Sequence, residues 1–347
     1  MRSTVCKAKL GCDAGHRIMK HRAQSREQKR RRVRGDRVIS KRPKITVVGS
    51  GNVGSTVAQY VARRELGDVV LTDILEGVAA GKALDMQESA PLDGFDSQLQ
   101  GTADYDLTGR SDIVVITAGS GRKPGMNRDD LAQSNAKVVR QVVREIVVRS
   151  PDAQLILVTN PCDVMSYVAY RESGFPAERV IGLGGVLDSS RFRAFIALEL
   201  DVSMEDVSAL VLGGHGDEMV PLPRYSYVSG IPIETLLDRQ KIDRIIERTR
   251  HGGTEIVRHL TIGGAYYAPG SSILQMIEAI VKDRRRILPC SAYVTGQYGV
   301  HDLFLGVPVL LGGHGAERIV ELELTKEEQA ALHRSADNIR RVIGQLS

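Results

Sequence analysis

From Lys44 onward, short apolar runs alternate with longer segments of helical periodicity. The runs "ITVVG", "DVVLTD", "DIVVITAG" and "AQLILVTN" are rich in β-branched residues and predict strands. Between them, "GSTVAQYVARRELG", "GVAAGKALDMQESA" and "LAQSNAKVVRQVVREIVVRS" predict helices. Strands that alternate with helices of this length are typical of a parallel, doubly wound sheet. The first half of the chain therefore predicts an α/β fold.

After about residue 185 the pattern changes. "DVSALVLGG" and "YSYVSGIPI" predict antiparallel strands, and helical periodicity covers 236–260, 267–282 and 325–345. This pattern favours a second, mixed α/β domain. The expected organisation is a basic N-terminal extension at 1–43, a dinucleotide-binding domain at 44–185 and a substrate-binding, catalytic domain at 186–347.

The N-terminal extension is strongly basic. Residues 1–43 contain 15 Lys and Arg against 3 Asp and Glu, whereas the rest of the chain is acidic, with 32 against 39. The net charge of +5 therefore does not indicate a globular surface for nucleic acid. The extension has almost no apolar periodicity, which predicts disorder, and it lacks the apolar region of a secretory signal. A transit peptide and a true start near Val38 are the alternatives; a full-length intact mass of the protein from its own host would rule out the start near Val38.

Composition limits the class of protein further. Hydrophobic residues make up 42% of the 347, as in ordinary globular proteins, and the longest apolar runs are far below the roughly 20 residues of a membrane span. No membrane segment is expected. Of the four cysteines, Cys162 and Cys290 adjoin apolar runs and are expected to be buried, inert thiols, which favours a cytoplasmic protein.

A glycine-rich turn follows the first predicted strand. Gly49, Gly51 and Gly54 have G-x-G-x-x-G spacing, which allows a tight turn, close approach to a pyrophosphate and close packing of helix on strand. Asp73 ends the next predicted strand, where a carboxylate binds ribose hydroxyls and repels a 2′-phosphate. The context predicts a Rossmann-type NAD site; the alternative is that the glycines only form turns.

Three later segments carry polar groups suited to a small anionic substrate. Asp188 and Arg191 are three residues apart and share a face if the segment is helical, although such pairs are usually surface ion pairs. His215 lies between glycines after an apolar strand, which predicts an exposed ring. Asn160 ends another strand before a proline, where α/β sheets place ligand groups; a capping role is the simpler alternative. The string "LGGHG" recurs at 311–315, so His314 competes with His215.

The motifs "GSGNVG", "GRKPGMNRDDL", "VTNPCDV", "VLDSSRFR" and "GGHGDEMVP" together resemble the lactate/malate dehydrogenase family, from about residue 44 to the C-terminus. The resemblance implies that His215 is the proton donor and acceptor, that Asp188 orients it, and that Arg191 binds the substrate carboxylate. His314, expected in a loop entering the terminal helix, is then structural. The resemblance also implies a small set of NAD contacts, namely Gly49, Ser50, Gly51, Asn52, Val53, Gly54, Asp73, Asn135, Val158 and Asn160.

The resemblance gives separate tasks to the two arginines of "GRKPGMNRDD". Arg128 is expected to stabilise the substrate oxyanion. Arg122 stands where lactate dehydrogenases carry glutamine, and in family members that use oxaloacetate an arginine there pairs with the second carboxylate. Malate and oxaloacetate are therefore the expected substrates, with Asn160 as a further substrate contact. The alternative is a solvated turn whose arginines pair with Asp129 and Asp130.

Other implications of the resemblance are a loop at 121–130 that closes as a lid, a homodimer or homotetramer, a role in the tricarboxylic acid cycle and no metal. Gly264 and Ala265 replace a hydroxyl residue that relatives often carry near the substrate. Two other functions stay open at this point. One is a dehydrogenase of lactate or another 2-hydroxyacid, and the other is a non-enzymatic role in which the basic extension binds RNA or an anionic surface.

Overall fold

A computed structural model describes residues 42–121, 128–261 and 263–346. Residues 122–127 of the predicted lid, which include Arg122, and the side chain of Arg128 therefore lie outside the described residues, as does nearly all of the predicted disordered extension. Pro43–Ser347 forms one compact unit.

Strands and helices alternate in the first half of this unit, as predicted. The strands are β1 Lys44–Val48, β2 Asp68–Thr72, β3 Leu99–Thr102, β4 Ile113–Ile116, β5 Gln154–Leu157, β6 Val180–Gly182, β7 Val207–Leu212, β8 Val220–Val228, β9 Ile231–Pro232, β10 Arg286–Thr295, β11 His301–Gly312 and β12 Gly315–Ile319. The α-helices are α1 Asn52–Arg63, α2 Glu76–Asp93, α3 Arg128–Arg149, α4 Cys162–Ser173, α5 Gly185–Leu200, α6 Ile233–Leu236, α7 Arg239–Leu260, α8 Tyr267–Val281 and α9 Lys326–Gly344. The 3₁₀ turns are Tyr105–Thr108, Ala177–Arg179 and Gln297–Gly299.

Nine strands form the main sheet in the order β12-β11-β10-β6-β5-β4-β1-β2-β3. The six strands from β6 to β3 are parallel, which confirms the predicted doubly wound sheet. All four residues of β4 and of β5 are buried, as expected for strands covered by helices on both faces. Chain order reverses on either side of β1, and the crevice beyond the carboxyl ends of β1 and β4 is where such sheets bind ligands.

The second half of the chain extends this sheet as well as forming its own. Strands β10, β11 and β12 continue it in antiparallel fashion, with Ser291 of β10 opposite Gly182 of β6. The predicted antiparallel pieces form a separate sheet, β7-β8-β9. A small apolar core around Phe192 and Ile196 lies between this sheet and helices α5 and α7. Strand β7, which leads into the segment that carries His215, is therefore packed on this small core.

Cys162 and Cys290 are free and buried, as predicted. Burial raises the pKa of the Cys162 thiol to about 12, so the group stays protonated near neutral pH. No helix within the described ranges is long and apolar enough to cross a membrane.

Candidate active site

The glycine-rich turn after β1 has the conformation expected of a dinucleotide cradle. Gly49 has a φ of +104°, and a Cβ there would come within 2.7 Å of Thr117 Oγ1. A Cβ on Gly54 would overlap the Gly49 carbonyl oxygen, so only glycine lets α1 pack this closely. A Cβ on Gly51, the N-cap of α1, would meet nothing within 4 Å in the part of the chain that is described. The turn thus presents open backbone at a helix N-terminus, which suits a pyrophosphate.

Asp73 follows β2 and braces this turn. Its Oδ2 accepts hydrogen bonds from the backbone nitrogen of Ser50 at 2.6 Å and from Ser50 Oγ at 2.9 Å. Partial burial would raise the pKa of Asp73, but the hydrogen bonds from Ser50 and from the backbone of Leu75 outweigh it, so its pKa lies below the usual range. Asp73 is therefore an ionised acceptor beside the turn.

Asn135 joins the loops after β4 and β5. The side chain is buried on α3; its Oδ1 accepts from Ser120 N at 2.8 Å, and its Nδ2 donates to the Asn160 carbonyl at 2.7 Å. The capping interpretation of Asn160 is wrong, because α4 begins at Cys162 with Pro161 as its N-cap. The Asn160–Pro161 peptide is cis. Asn160 instead lies at the rim of a cleft.

This cleft has a volume of about 1380 Å³ and runs past the carboxyl edge of the main sheet. Six of the predicted site residues line it, namely Val53, Asn135, Val158, Asn160, Arg191 and His215. Gly264 and Ala265 line it as well. Arg250 and Thr254 of α7 are among the lining residues that were not predicted from the sequence.

His215 and Arg191 line the cleft, and both contact Asp188. Asp188 is 1% exposed in the first turn of α5, and Arg191 lies one turn later on the same face, as predicted. Asp188 Oδ2 is 2.8 Å from His215 Nδ1, and its Oδ1 is 3.5 Å from Arg191 Nη1. One buried carboxylate therefore contacts both the imidazole and the guanidinium.

The environment favours a charged imidazole. Burial alone would lower the pKa of His215, but the charge of Asp188 and its hydrogen bond outweigh burial and raise that pKa above its usual value. The predicted exposure of the ring is wrong. Its side chain is only 17% exposed, because it turns inward to Asp188. The other ring nitrogen, Nε2, is the atom left for a substrate.

Arg191 is held against two glycines of α7. A Cβ on Gly252 would come within 3.2 Å of Arg191 Cδ, and one on Gly253 within 3.6 Å of Nη2. Burial lowers the pKa of Arg191, partly offset by Asp188. The buried Nε of Arg191 has no hydrogen-bond partner among the described residues. Gly252 and Gly253 thus leave room for the Arg191 guanidinium, whose Nε can still donate a hydrogen bond to a ligand.

The loop that carries His215 is fixed at three successive amides. Gly213 N donates to the Gly306 carbonyl at 2.9 Å, Gly214 N to Ser335 Oγ at 2.8 Å, and His215 N to Asp163 Oδ2 at 2.8 Å. Sequence reasoning missed Asp163, although it is the one acidic residue in the "VTNPCDV" motif.

His314 has no place in this cluster. It is exposed in the turn between β11 and β12, rather than in a loop entering α9 as expected, and it does not line the cleft. Asp129, an expected partner of the loop arginines in the solvated-turn alternative, is 3.3 Å from Arg341 of α9. No group of His, Cys, Asp and Glu suited to a metal ion occurs in the described ranges.

Comparison with known proteins identifies the family. Residues 43–182 match the family model described as lactate/malate dehydrogenase, NAD binding domain, and residues 185–346 match the lactate/malate dehydrogenase, alpha/beta C-terminal domain. The chain is 57% identical over 303 residues to a malate dehydrogenase of Desulforudis audaxviator (strain MP104C), covering 87% of this chain and 98% of that protein. It is 55% identical over 308 residues to a malate dehydrogenase of Bacillus subtilis (strain 168), covering 88% and 99%.

Solved structures give the same result. The fold matches malate dehydrogenase from Salinibacter ruber with a TM-score of 0.84 at 51% identity, covering 87% of this chain and 97% of that one. It matches lactate dehydrogenase from Cryptosporidium parvum, complexed with lactic acid and nicotinamide adenine dinucleotide, with a TM-score of 0.85 at 41% identity, covering 88% and 98%. The chain belongs to the lactate/malate dehydrogenase family.

Proposed function

We propose that this chain is an NAD-dependent malate dehydrogenase, which interconverts (S)-malate and NAD with oxaloacetate, NADH and a proton. The single observation that carries the proposal is the cluster of His215, Asp188 and Arg191 in a cleft beside the glycine-rich turn. The relatives named malate dehydrogenase, at 55% and 57% identity, support the choice of substrate.

In the reducing direction, protonated His215 donates its Nε2 proton to the substrate carbonyl oxygen. When bound, NADH supplies the hydride to the carbonyl carbon. Asp188 accepts the hydrogen bond from Nδ1, so Nε2 faces the substrate and the imidazolium is stabilised. In reverse, neutral His215 removes the hydroxyl proton. The raised pKa of His215 keeps the acid form available near neutral pH.

Arg191 binds the carboxylate next to the reacting carbon. Its Nε, without a protein partner among the described residues, and one Nη can form two parallel hydrogen bonds to that carboxylate. Holding the group in this way fixes the reacting carbon relative to His215 Nε2. Because the Arg191 side chain is only 12% exposed, its charge is less screened than that of a surface arginine, which strengthens its contact with an anion.

The remaining roles rest on the family resemblance. By that resemblance, Arg128 is the residue expected to stabilise the developing oxyanion, Arg122 the residue expected to pair with the second carboxylate, and Asn160 a contact of substrate and cofactor. An unpaired carboxylate in a closed site is strongly disfavoured, so a single cation at position 122 can separate oxaloacetate from pyruvate.

The residues of the glycine-rich turn fit NAD. Gly51 leaves space for a pyrophosphate at the start of α1, and Asp73 is placed to accept from ribose hydroxyls. A second phosphate on that ribose would meet the Asp73 carboxylate, which favours NAD over NADP. The other proposed contacts are Ser50, Asn52, Val53, Asn135 and Val158.

The proposal is tested by NADH oxidation with oxaloacetate and with pyruvate. We expect kcat/KM for oxaloacetate to exceed that for pyruvate by at least about a hundredfold, the scale set by one unpaired charge. Arg122→Gln should reduce or invert this ratio while the Kd for NADH stays within twofold. A wild-type preference for pyruvate would instead favour a lactate dehydrogenase.

We further propose a cytoplasmic homodimer or homotetramer. Large apolar side chains are exposed on the described surface, among them Ile74 at 91%, Leu92 at 90% and Val148 at 78%. The free thiols of Cys162 and Cys290 are compatible with a reducing compartment. Light scattering coupled to gel filtration gives the subunit number, and a monomer at micromolar concentration contradicts this proposal.

A salt-dependent shift assay with and without residues 1–37 tests the RNA-binding alternative.

A further inference from the structure

A lysine of α2 contacts the glycine-rich turn. Lys82 Nζ donates to the Ser50 carbonyl oxygen at 2.7 Å, across a separation of 32 residues. Through its other polar atoms, the backbone nitrogen and Oγ, Ser50 donates to Asp73 Oδ2. One residue of the turn, itself 2% exposed, thus contacts a cation through its carbonyl and an anion through its donors.

Lys82 has no anionic partner in the part of the chain that is described. The Ser50 carbonyl is its one acceptor there, so it uses one of the three N–H groups of the ammonium. Most lysines on helices extend into water, since ordering so long a side chain costs up to about 2 kcal/mol. Lys82 is instead half-buried against the turn. Its charge and two of its donors therefore remain for a ligand or for solvent.

The hydrogen bond to the Ser50 carbonyl does not need a charged donor. Ser55 Oγ of α1 donates to the same oxygen at 3.0 Å. The turn is also fixed at Gly49, whose nitrogen donates to the Thr72 carbonyl at 2.8 Å. Because neutral groups already hold this backbone, the ammonium of Lys82 indicates a task beyond holding the turn.

The charge of the cofactor defines that task. The proposed site puts the negative pyrophosphate of NAD at the start of α1, where Gly51 leaves open space. Asp73 is ionised beside the same turn and opposes the approach of an anion. Among the described residues, Lys82 is the only charged donor to a backbone carbonyl of residues 49–54. It therefore brings to this turn the positive charge that an anionic ligand needs.

We propose that Lys82 is an electrostatic determinant of NAD binding: its ammonium, anchored on the Ser50 carbonyl, attracts the pyrophosphate and offsets the repulsion by Asp73. This inference rests on the proposed binding of NAD at the glycine-rich turn. It gives different tasks to the two charges that contact Ser50. Asp73 selects between NAD and NADP, whereas Lys82 strengthens the binding of both, because both contain the pyrophosphate.

Lys82→Met keeps most of the length and volume of the side chain but removes the charge and the donor. In the full chain without substrate, we expect the Kd for NADH, measured by cofactor fluorescence at low ionic strength, to rise about tenfold. The Kd for ADP-ribose, which has the pyrophosphate but not the nicotinamide, should rise by the same factor in calorimetry. The ratio of the Kd for NADPH to the Kd for NADH should stay within about twofold.

Added salt separates the effect of the charge from a structural effect. Salt screens a charge but does not restore a displaced turn, so the difference in Kd between wild type and Lys82→Met should shrink in about 0.5 M KCl. Lys82→Arg keeps the charge and should bind NADH within about threefold of wild type. A Kd within twofold of wild type in folded Lys82→Met, a loss that salt does not reduce, or the same loss in Lys82→Arg overturns the inference.

Ser55→Ala is the matched control, since it removes the other donor to the Ser50 carbonyl without changing charge. It should leave the Kd for NADH within twofold, and a loss equal to that of Lys82→Met overturns the inference. Lys282→Met, which removes an exposed lysine paired with Glu278 in α8, controls for net charge and should match wild type.

Lys82→Gln takes the place of Lys82→Met if the latter does not fold, as judged by its melting curve. Its amide removes the charge and keeps a donor. A rise of about tenfold in the Kd for NADH supports the inference, and a Kd within twofold of wild type overturns it.

The wild-type protein distinguishes the two levels of failure. A wild type that binds no NADH contradicts the proposed function itself. NADH binding by the wild type together with an unchanged Kd in Lys82→Met contradicts only the role of Lys82.

Discussion

Asp188→Asn is the perturbation that the geometry of the site constrains most tightly. The carboxylate lies 2.8 Å from His215 Nδ1 and 3.5 Å from Arg191 Nη1, and it is 1% exposed. Asparagine keeps the volume and can still accept from Nδ1, but it removes the charge. The imidazolium then keeps Arg191 as a neighbouring cation and loses its nearest anion.

The size of the effect follows from the separation of the charges. Both charges are delocalised, so the centres of a carboxylate and an imidazolium in contact are about 4 Å apart; at an effective dielectric of about 20 they interact by about 4 kcal/mol, which corresponds to about a thousandfold in protonation. This is an upper limit, because the other charges around the ring remain. We expect kcat/KM for oxaloacetate at pH 8 to fall between about tenfold and a thousandfold.

The assay is NADH absorbance at saturating cofactor from pH 5 to 10 in both directions. Oxaloacetate reduction needs the protonated imidazole, so its decline with rising pH should begin at lower pH in the variant. Malate oxidation needs the neutral imidazole, so its rise should also begin at lower pH. Asp243→Asn, which removes an exposed partner of Arg239, is the control and should match wild type. Unchanged profiles in Asp188→Asn would refute the assigned pairing.

Three further predictions follow from the described contacts. Gly252→Ala should raise the KM for oxaloacetate about three- to tenfold, because its Cβ at 3.2 Å displaces Arg191 by a few tenths of an ångström; an unchanged KM in steady-state kinetics argues against Arg191 as the carboxylate ligand. Asp73→Asn should reduce the ratio of the Kd for NADPH to the Kd for NADH by about tenfold, as measured by the fluorescence of the two cofactors. A ratio equal to that of the wild type would contradict the role of Asp73 in favouring NAD. The folded protein raises the pKa of His215, so the stability this group contributes is present below its ordinary pKa and lost as the pH rises through the raised value. The free energy of unfolding in urea should therefore fall between pH 6 and 9 in the wild type and fall less in His215→Asn. The same dependence on pH in both proteins would count against the raised pKa.

The strands and helices of the first half could be predicted because their apolar runs are continuous and their periodicity is local. Strand β4 and helix α1, for example, were identifiable from single segments. The joining of β10 to β6 could not be predicted, because this pairing rests on a long-range contact between Ser291 and Gly182. Local patterns give no information about such pairings. The sequence therefore indicated a second domain but not that its strands β10, β11 and β12 belong to the main sheet.

The site shows the same division. The Asp188 and Arg191 pair follows from helical spacing, but the contact of Asp188 with His215 spans 27 residues and was expected only through the family resemblance. The ring of His215 was expected to be exposed because its neighbours are glycines. That expectation was wrong because the sequence around His215 does not reveal its contact with the buried Asp188. Asp163 was missed for the same physical reason: its partners lie 52 and 128 residues away.

A crystal structure with NADH and hydroxymalonate, a dead-end pair because both partners are reduced, tests the roles of His215 and Arg191 together. We expect the ligand hydroxyl oxygen within about 3 Å of His215 Nε2 and one carboxylate in two parallel hydrogen bonds with Arg191. A ligand bound in the cleft with its hydroxyl away from His215, or with Arg191 still directed only at Asp188, would contradict these roles.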